Sequence, residues 1–240
     1  AMRIDASGKV GIGNSAPLGK LTISNAAGAN APTTVTAANT YLQLGSDDYG
    51  ASNNGKFMIG FGYTDATNTN SPAYIGYEET SSAGDTKGEL TFYTRNVITD
   101  TAPTERMRID VSGNLLVGKD TTGLADAGFE VQSSGQITAN QANAPAAKFN
   151  RLTNDGEIIR LHKDGEPVGS ISSHTGGFLK IDTAGDSSGL LFGTSAVYPI
   201  KNDVIDDDAV DLGDGSNRFK DLYLSGGVVF GTTGGSVSSK

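Results

Sequence analysis

One stretch occurs twice in this chain: Met2-Arg3-Ile4-Asp5-Ala6-Ser7-Gly8-Lys9-Val10-Gly11-Ile12-Gly13 returns as Met107-Arg108-Ile109-Asp110-Val111-Ser112-Gly113-Asn114-Leu115-Leu116-Val117-Gly118. A duplicated strand-turn-strand unit constrains the fold more than any other feature, because repetition of a short β unit builds a modular β protein. Each copy reads as a hairpin. Apolar residues alternate on both arms (Ile4, then Val10 and Ile12; Ile109, then Leu115 and Val117), and Ser-Gly supplies the turn, since glycine accepts positive φ. A degenerate third copy runs from Val131 to Ile137, and a shortened fourth from Leu224 to Val228.

The apolar content is thin for a single globule. Leu, Ile, Val and Phe total 52 of 240 residues, alongside 33 glycines, close to the level of roughly 20% at which chains stop folding alone. Disorder also requires high charge per residue, and the net charge is only −9. The expectation is therefore an ordered, narrow fold whose apolar faces are completed by other chains, since an isolated hairpin pair buries too little surface. The acidic balance without a basic patch argues against nucleic acid. The sequence has no cysteine, hence no disulfide or thiolate metal site, and no apolar run of membrane-spanning length or signal-peptide plan.

Four segments are expected. Residues 1–40 hold a hairpin module, with a strand at Lys20–Ser24, and an Ala/Asn/Thr-rich connector. Residues 41–99 hold an inserted antiparallel sheet with strands at Tyr41–Leu44, Lys56–Tyr63, Ala73–Tyr77 and Glu89–Arg95. Residues 100–142 hold the second hairpin module and its degenerate partner. Residues 143–240 form a C-terminal β-rich segment with a hairpin turn at Lys163-Asp164-Gly165-Glu166. Helical turns are confined to Asn217–Asp221 and part of Ala142–Ala147. The chain reads as opening inside a motif that continued upstream, with Ala1 a cloning scar and 231–240 a linker.

Glu105-Arg106-Met107-Arg108-Ile109-Asp110 with Ser112-Gly113-Asn114 resembles the shaft motif of bacteriophage tail fibres and tailspikes. A second pattern is similar to another fibre segment: Arg160-Leu161-His162-Lys163-Asp164-Gly165, Val168-Gly169-Ser170-Ile171, Leu190-Leu191-Phe192-Gly193, Asp211-Leu212-Gly213 and Arg218 through Val228. The resemblance implies an all-β, elongated, repetitive shaft of β-hairpin, β-prism or triple β-helix type, wound as an intertwined homotrimer. It also implies a virion protein made in the host cytoplasm, whose partners are other tail proteins and a host surface polysaccharide. Two other classes are a polysaccharide depolymerase with an inter-chain active site and a bacterial trimeric adhesin stalk.

No cofactor is expected, and no metal. His162 and His174 lack ligands at metal spacing, although fibre shafts of the resembled kind can hold an ion through one histidine per chain. Asp206-Asp207-Asp208, Asp211 and Asp214 are acid-rich but miss the calcium-loop pattern, so they read as turn residues, with Arg218 available to Asp211 or Asp214. Among carboxylates considered for glycan cleavage, Glu78-Glu79, Asp47-Asp48 and Glu105, neither tandem pair can aim both groups at one bond, because adjacent strand residues point to opposite faces; partners would come from other strands or chains. No catalytic residue is assigned. The receptor candidates are Tyr74, Tyr93 and Arg95, which alternation places on the face opposite Ile75, Tyr77, Leu90 and Phe92.

Overall fold

Both copies of the repeat close on the same turn, for a reason visible in three atoms. Asp5 Oδ1 accepts the Ser7 and Lys9 N–H groups at 2.8 and 2.9 Å, and Asp110 Oδ1 accepts those of Ser112 and Asn114 at 2.8 and 2.9 Å. The aspartate thus ties up backbone donors that the reversal would leave unpaired. Gly8 and Gly113 stand at φ +77° and +80°, a region that costs a side chain about 1–2 kcal/mol. In the third copy Gly135 takes φ +89° and donates to the Gln132 carbonyl at 2.8 Å, with glutamine where the other copies have aspartate.

The computed structural model describes residues 2–24, 32–36, 39–45, 55–81, 86–175, 177–185, 188–207 and 210–226. The chain divides into two units, Ala1–Ala146 and Ala147–Lys240. In the first, β1 (Met2–Ile4), β2 (Val10–Ile12) and β3 (Leu21–Ile23) form a three-stranded sheet in that order, β2 and β3 running parallel. This short parallel return depends on Gly13 at φ +70°, where a Cβ would lie 2.0 Å from the Ser24 carbonyl oxygen. Then β4 (Lys56–Phe61), β5 (Ala73–Ser81), β6 (Lys87–Thr94), β7 (Thr104–Ile109), β8 (Leu115–Val117), β9 (Gly128–Val131) and β10 (Ile137–Asn140) make a seven-stranded antiparallel meander. In the second unit β11 (Gly156–Lys163), β12 (Glu166–His174), β13 (Phe178–Thr183), β14 (Gly189–Phe192), β15 (Val197–Lys201) and β16 (Val204–Ile205) make a six-stranded one. The β11–β12 reversal has Asp164 at φ +53° and Gly165 at +90°, both central residues left-handed, as a two-residue hairpin turn requires.

The fold is all-β, in three open sheets. The strands of 56–94 do not form a sheet of their own, because β6 pairs with β7 (Phe92↔Met107, Leu90↔Ile109) and so carries them directly onto the second hairpin. Tyr41–Leu44 is not a strand; its apolar residues are exposed, and β propensity without a neighbouring strand does not make a ladder. Asn217–Asp221 is not helical, because Asp214 holds a turn there by accepting the Ser216 and Asn217 N–H groups at 2.7 and 2.6 Å. Leu224 lies outside any strand. Ala1, residues 25–31, Asp47-Asp48, Asp208, Gly227-Val228 and 231–240, on which sequence readings fell, lie outside the described residues.

Register puts the apolar side chains into rows. One crosses all seven strands as Ile59, Ile75, Phe92, Met107, Val117, Phe129 and Ala139. A second crosses them as Phe57, Tyr77, Leu90, Ile109, Leu115, Val131 and Ile137. The row between, on the opposite face, is Met58, Gly76, Thr91, Arg108, Leu116, Glu130 and Thr138. The three-stranded sheet repeats the pattern with Met2, Ile12 and Ile23, and the six-stranded sheet with Ile159, Ile171, Ile181, Leu190 and Pro199.

Alternation therefore matches the sequence, but its sense towards solvent is reversed. Leu90 is 41% exposed and Ile137 67%, whereas Thr91 and Leu116 on the other face are 0% exposed. In the second unit Leu190 is exposed while Ser172, Leu191 and Ile200 are fully buried. The described residues supply no second layer for the apolar rows, so within one chain the face bearing the charges is the better packed.

Replacing Gly113 by alanine is expected to destabilise the first unit by about 1–2 kcal/mol, read as a fall in the urea midpoint of the full chain. The same change at Gly226, which is not left-handed and has open space around it, is expected to leave the midpoint unmoved.

Candidate functional site

The charged face of the seven-stranded sheet carries most of the side-chain chemistry of the first unit. On β6 and β7, Arg108 grips Glu105 with two nitrogens at 2.6 and 2.7 Å and Glu89 with a third at 2.5 Å. At the β4 edge Lys56 pairs with Glu78 at 2.9 Å, and the Tyr93 hydroxyl donates to the same carboxylate at 3.0 Å. Glu78 and Glu89 stand directly opposite one another across β5 and β6, a repulsive pairing that Lys56 and Arg108 neutralise from either side. Burial works against Glu78 ionising, but the hydrogen bonds from Lys56 and Tyr93 prevail and hold its carboxyl below the usual range. Glu78 correspondingly keeps the Lys56 ammonium protonated above its ordinary range.

Tyr74 and Tyr93 are cross-strand partners, as their positions on one face require. They line a cleft of about 230 Å³ with Lys56, Met58, Asn70, Ala102 and Pro103. Tyr74 Oη accepts the Ser71 N–H at 2.8 Å, and the Lys56 ammonium lies 5.7 Å from the Tyr93 ring centre. Arg95 is placed differently. Its guanidinium donates to Asp100 Oδ1 at 3.2 Å and to the Thr101 carbonyl at 3.1 Å, while Asp100 accepts the Thr69 and Asn70 N–H groups at 2.8 and 3.0 Å. Arg95 and Asp100 thus tie together the two loops that wall the cleft, and Arg95 is not among the residues lining it.

At the far end of the sheet Lys119 and Glu130, both 1% exposed, pair at 2.7 Å. Lys119 also donates to the Gly123 carbonyl at 2.6 Å, the Gly123 N–H donates back to Glu130 at 3.0 Å, and Gln132 donates to the second carboxylate oxygen at 2.9 Å. Lys119 first, then Gln132 and the Gly123 amide, hold the Glu130 carboxyl at about 2. Sequence reasoning missed this pair. Its only signal was an acid between Phe129 and Val131, and its partner lies in a loop whose course the pattern does not give.

In the second unit His162 sits by the β11–β12 turn with Nδ1 3.1 Å from the Gly165 carbonyl, and His174 Nε2 lies 3.1 Å from the Asp203 carbonyl. Lys180 bridges Asp182 at 3.0 Å and Asp203 at 2.6 Å. Among the described residues Arg218 makes no ion pair with Asp211 or Asp214, and no group of three or more acids or histidines could hold a metal ion. Among the described residues no helix is long and apolar enough to cross a membrane. Compared with known protein families, with curated proteins and with solved structures, the chain finds no match.

Glu130 binds its proton far more weakly folded than at its ordinary value of 4.5. Between those values the unfolded chain takes up a proton that the folded chain refuses. The stabilisation from this pair is therefore complete above pH 4.5 and is lost as pH falls towards 2. Glu130→Gln should flatten this part of the stability–pH curve, measured by urea unfolding at stepped pH.

Proposed function

We infer that the chain is a structural segment of a phage tail fibre or tailspike, an elongated homotrimeric β shaft that displays, and contributes to, recognition of a host surface glycan. The resemblance of the two residue patterns to such shafts suggests the class. The observation that carries the reading is the pair of uncovered apolar rows across seven strands, repeated in shorter form on both other sheets. At strand spacing of about 4.8 Å and residue rise of about 3.4 Å, the two rows cover on the order of 450 Å². That lies within the roughly 300–600 Å² of the largest apolar patch on a monomer, a patch that is often functional.

Sister chains suit this surface because every sheet of the chain presents the same chemistry, so copies can close one another's open faces. Three copies then present three identical outer faces, and weak contacts gain avidity from their linkage. The carboxylates Glu78, Glu89 and Glu105 are each engaged by a cation, which supports a structural rather than a bond-cleaving use of this face.

Light scattering of the purified chain should return three times its 24.7 kDa mass. Ile75→Lys with Phe129→Lys, which places two charges in the first apolar row, should lower the mass to that of one chain. A wild-type mass of a single chain in dilute buffer would remove the reading.

A further inference from the structure

The face opposite the apolar rows carries a cleft whose lining selects a chemical class of ligand. We propose that it binds one neutral pyranose ring of a polysaccharide, stacked over Tyr74 and Tyr93; this rests on the glycan-recognition reading above and specifies its site. The two tyrosines stand side by side on β5 and β6. Glycine clears the ground around them. A Cβ on Gly60 would lie 3.1 Å from the Tyr74 ring and 2.7 Å from Ser71 Oγ, and one on Gly76 would lie 2.0 Å from Met58 Sδ. Gly60 therefore leaves the Tyr74 ring uncrowded, and Met58 fills the space above Gly76 as part of the floor.

Both rings are fixed before any ligand arrives. Tyr74 is held by the Ser71 N–H and Tyr93 by Glu78, so little side-chain freedom is lost on binding. Met58, Ala102 and Pro103 add apolar lining and Lys56 and Asn70 polar lining, with the Lys56 ammonium 5.7 Å from the Tyr93 ring centre. Such a lining matches a sugar ring, which has one C–H face and hydroxyls around its edge. The cleft of about 230 Å³ is smaller than the roughly 300–1,000 Å³ of drug-sized pockets, which fits one ring of a chain. The lining has no net charge, because Glu78 neutralises Lys56 at 2.9 Å. With a chain charge of −9 besides, an anionic sugar gains nothing and is repelled at long range. Arg95 acts as a positioning residue that fixes the loops bearing Asn70 and Ala102-Pro103.

The test uses the three methionines as reporters. Met58 lines the cleft, Met107 lies in the apolar row and Met2 in β1. The full chain, labelled with ¹³C at the methionine methyls, is titrated with the methyl glycosides of glucose, galactose, mannose and rhamnose, and with methyl glucuronide, up to tens of millimolar. Binding at the cleft shifts the Met58 methyl saturably for at least one neutral glycoside, leaves Met2 and Met107 unmoved, and is about tenfold or more weaker for the glucuronide. Tyr74→Ala should weaken the Met58 response about tenfold. A Met58 signal indifferent to every neutral glycoside in the unmutated protein overturns the proposal, as does an equal response to the glucuronide. If the mass remains that of a trimer while Met58 stays silent, this site falls and the shaft reading stands.

Discussion

The seven-stranded sheet depends on a register that runs unbroken in sense from β4 to β10. A strand has a side-chain period of two, so pairing Ile75 with Phe92, and Phe92 with Met107, commits every neighbour in the row. A slip of one residue anywhere would bring Thr91 or Arg108 into an apolar row and push a leucine or isoleucine among the ion pairs. The bulges between Glu79 and Ser81 on β5, and opposite Phe92 and Tyr93 on β7, absorb extra residues without breaking that order. Two chemically distinct faces follow from this one constraint, one of exposed apolar rows and the other carrying the ion pairs.

The charged face holds itself together by pairing. Burying Lys119 and Glu130 removes two ions from water, an expense that only their mutual contact and the surrounding donors can offset. No buried side-chain polar atom there lacks a partner: Gly123 contributes both its amide and its carbonyl, and Gln132 its side-chain amide nitrogen. The cluster pins the loop after β8 onto the sheet, much as Arg95 and Asp100 pin the loops near Tyr74. Both ends of the face are therefore closed by ionic contacts that reach out from strands to loops.

The sequence shows the parts of this structure that depend on neighbours close along the chain. Ser-Gly and Asp-Gly turns mark four reversals, and alternation separates Ile75 and Tyr77 from Tyr74 and Glu78 on the correct faces. Long-range closure is not written in such signals. Nothing local tells that β6 continues into β7 as one sheet, or that Tyr41–Leu44 lacks a strand to pair with. The two tyrosines of the cleft were legible as neighbours by spacing, but Arg95 was not legible as a loop anchor, since that role depends on Asp100, Thr101 and Asn70 coming together in space. Lys56 and Met58 enter the cleft only through the pairing of β4 with β5, which spacing along the sequence cannot supply.

The strand order has one more consequence. In the seven-stranded and six-stranded sheets each strand pairs only with those next to it along the chain, so each contact closes a short loop and little chain entropy separates one pairing from the next. Proteins dominated by such near-neighbour contacts form quickly. Each sheet can assemble hairpin by hairpin as the polypeptide emerges from the ribosome. Growth of the individual sheets is thereby a first-order event, whose rate is independent of protein concentration.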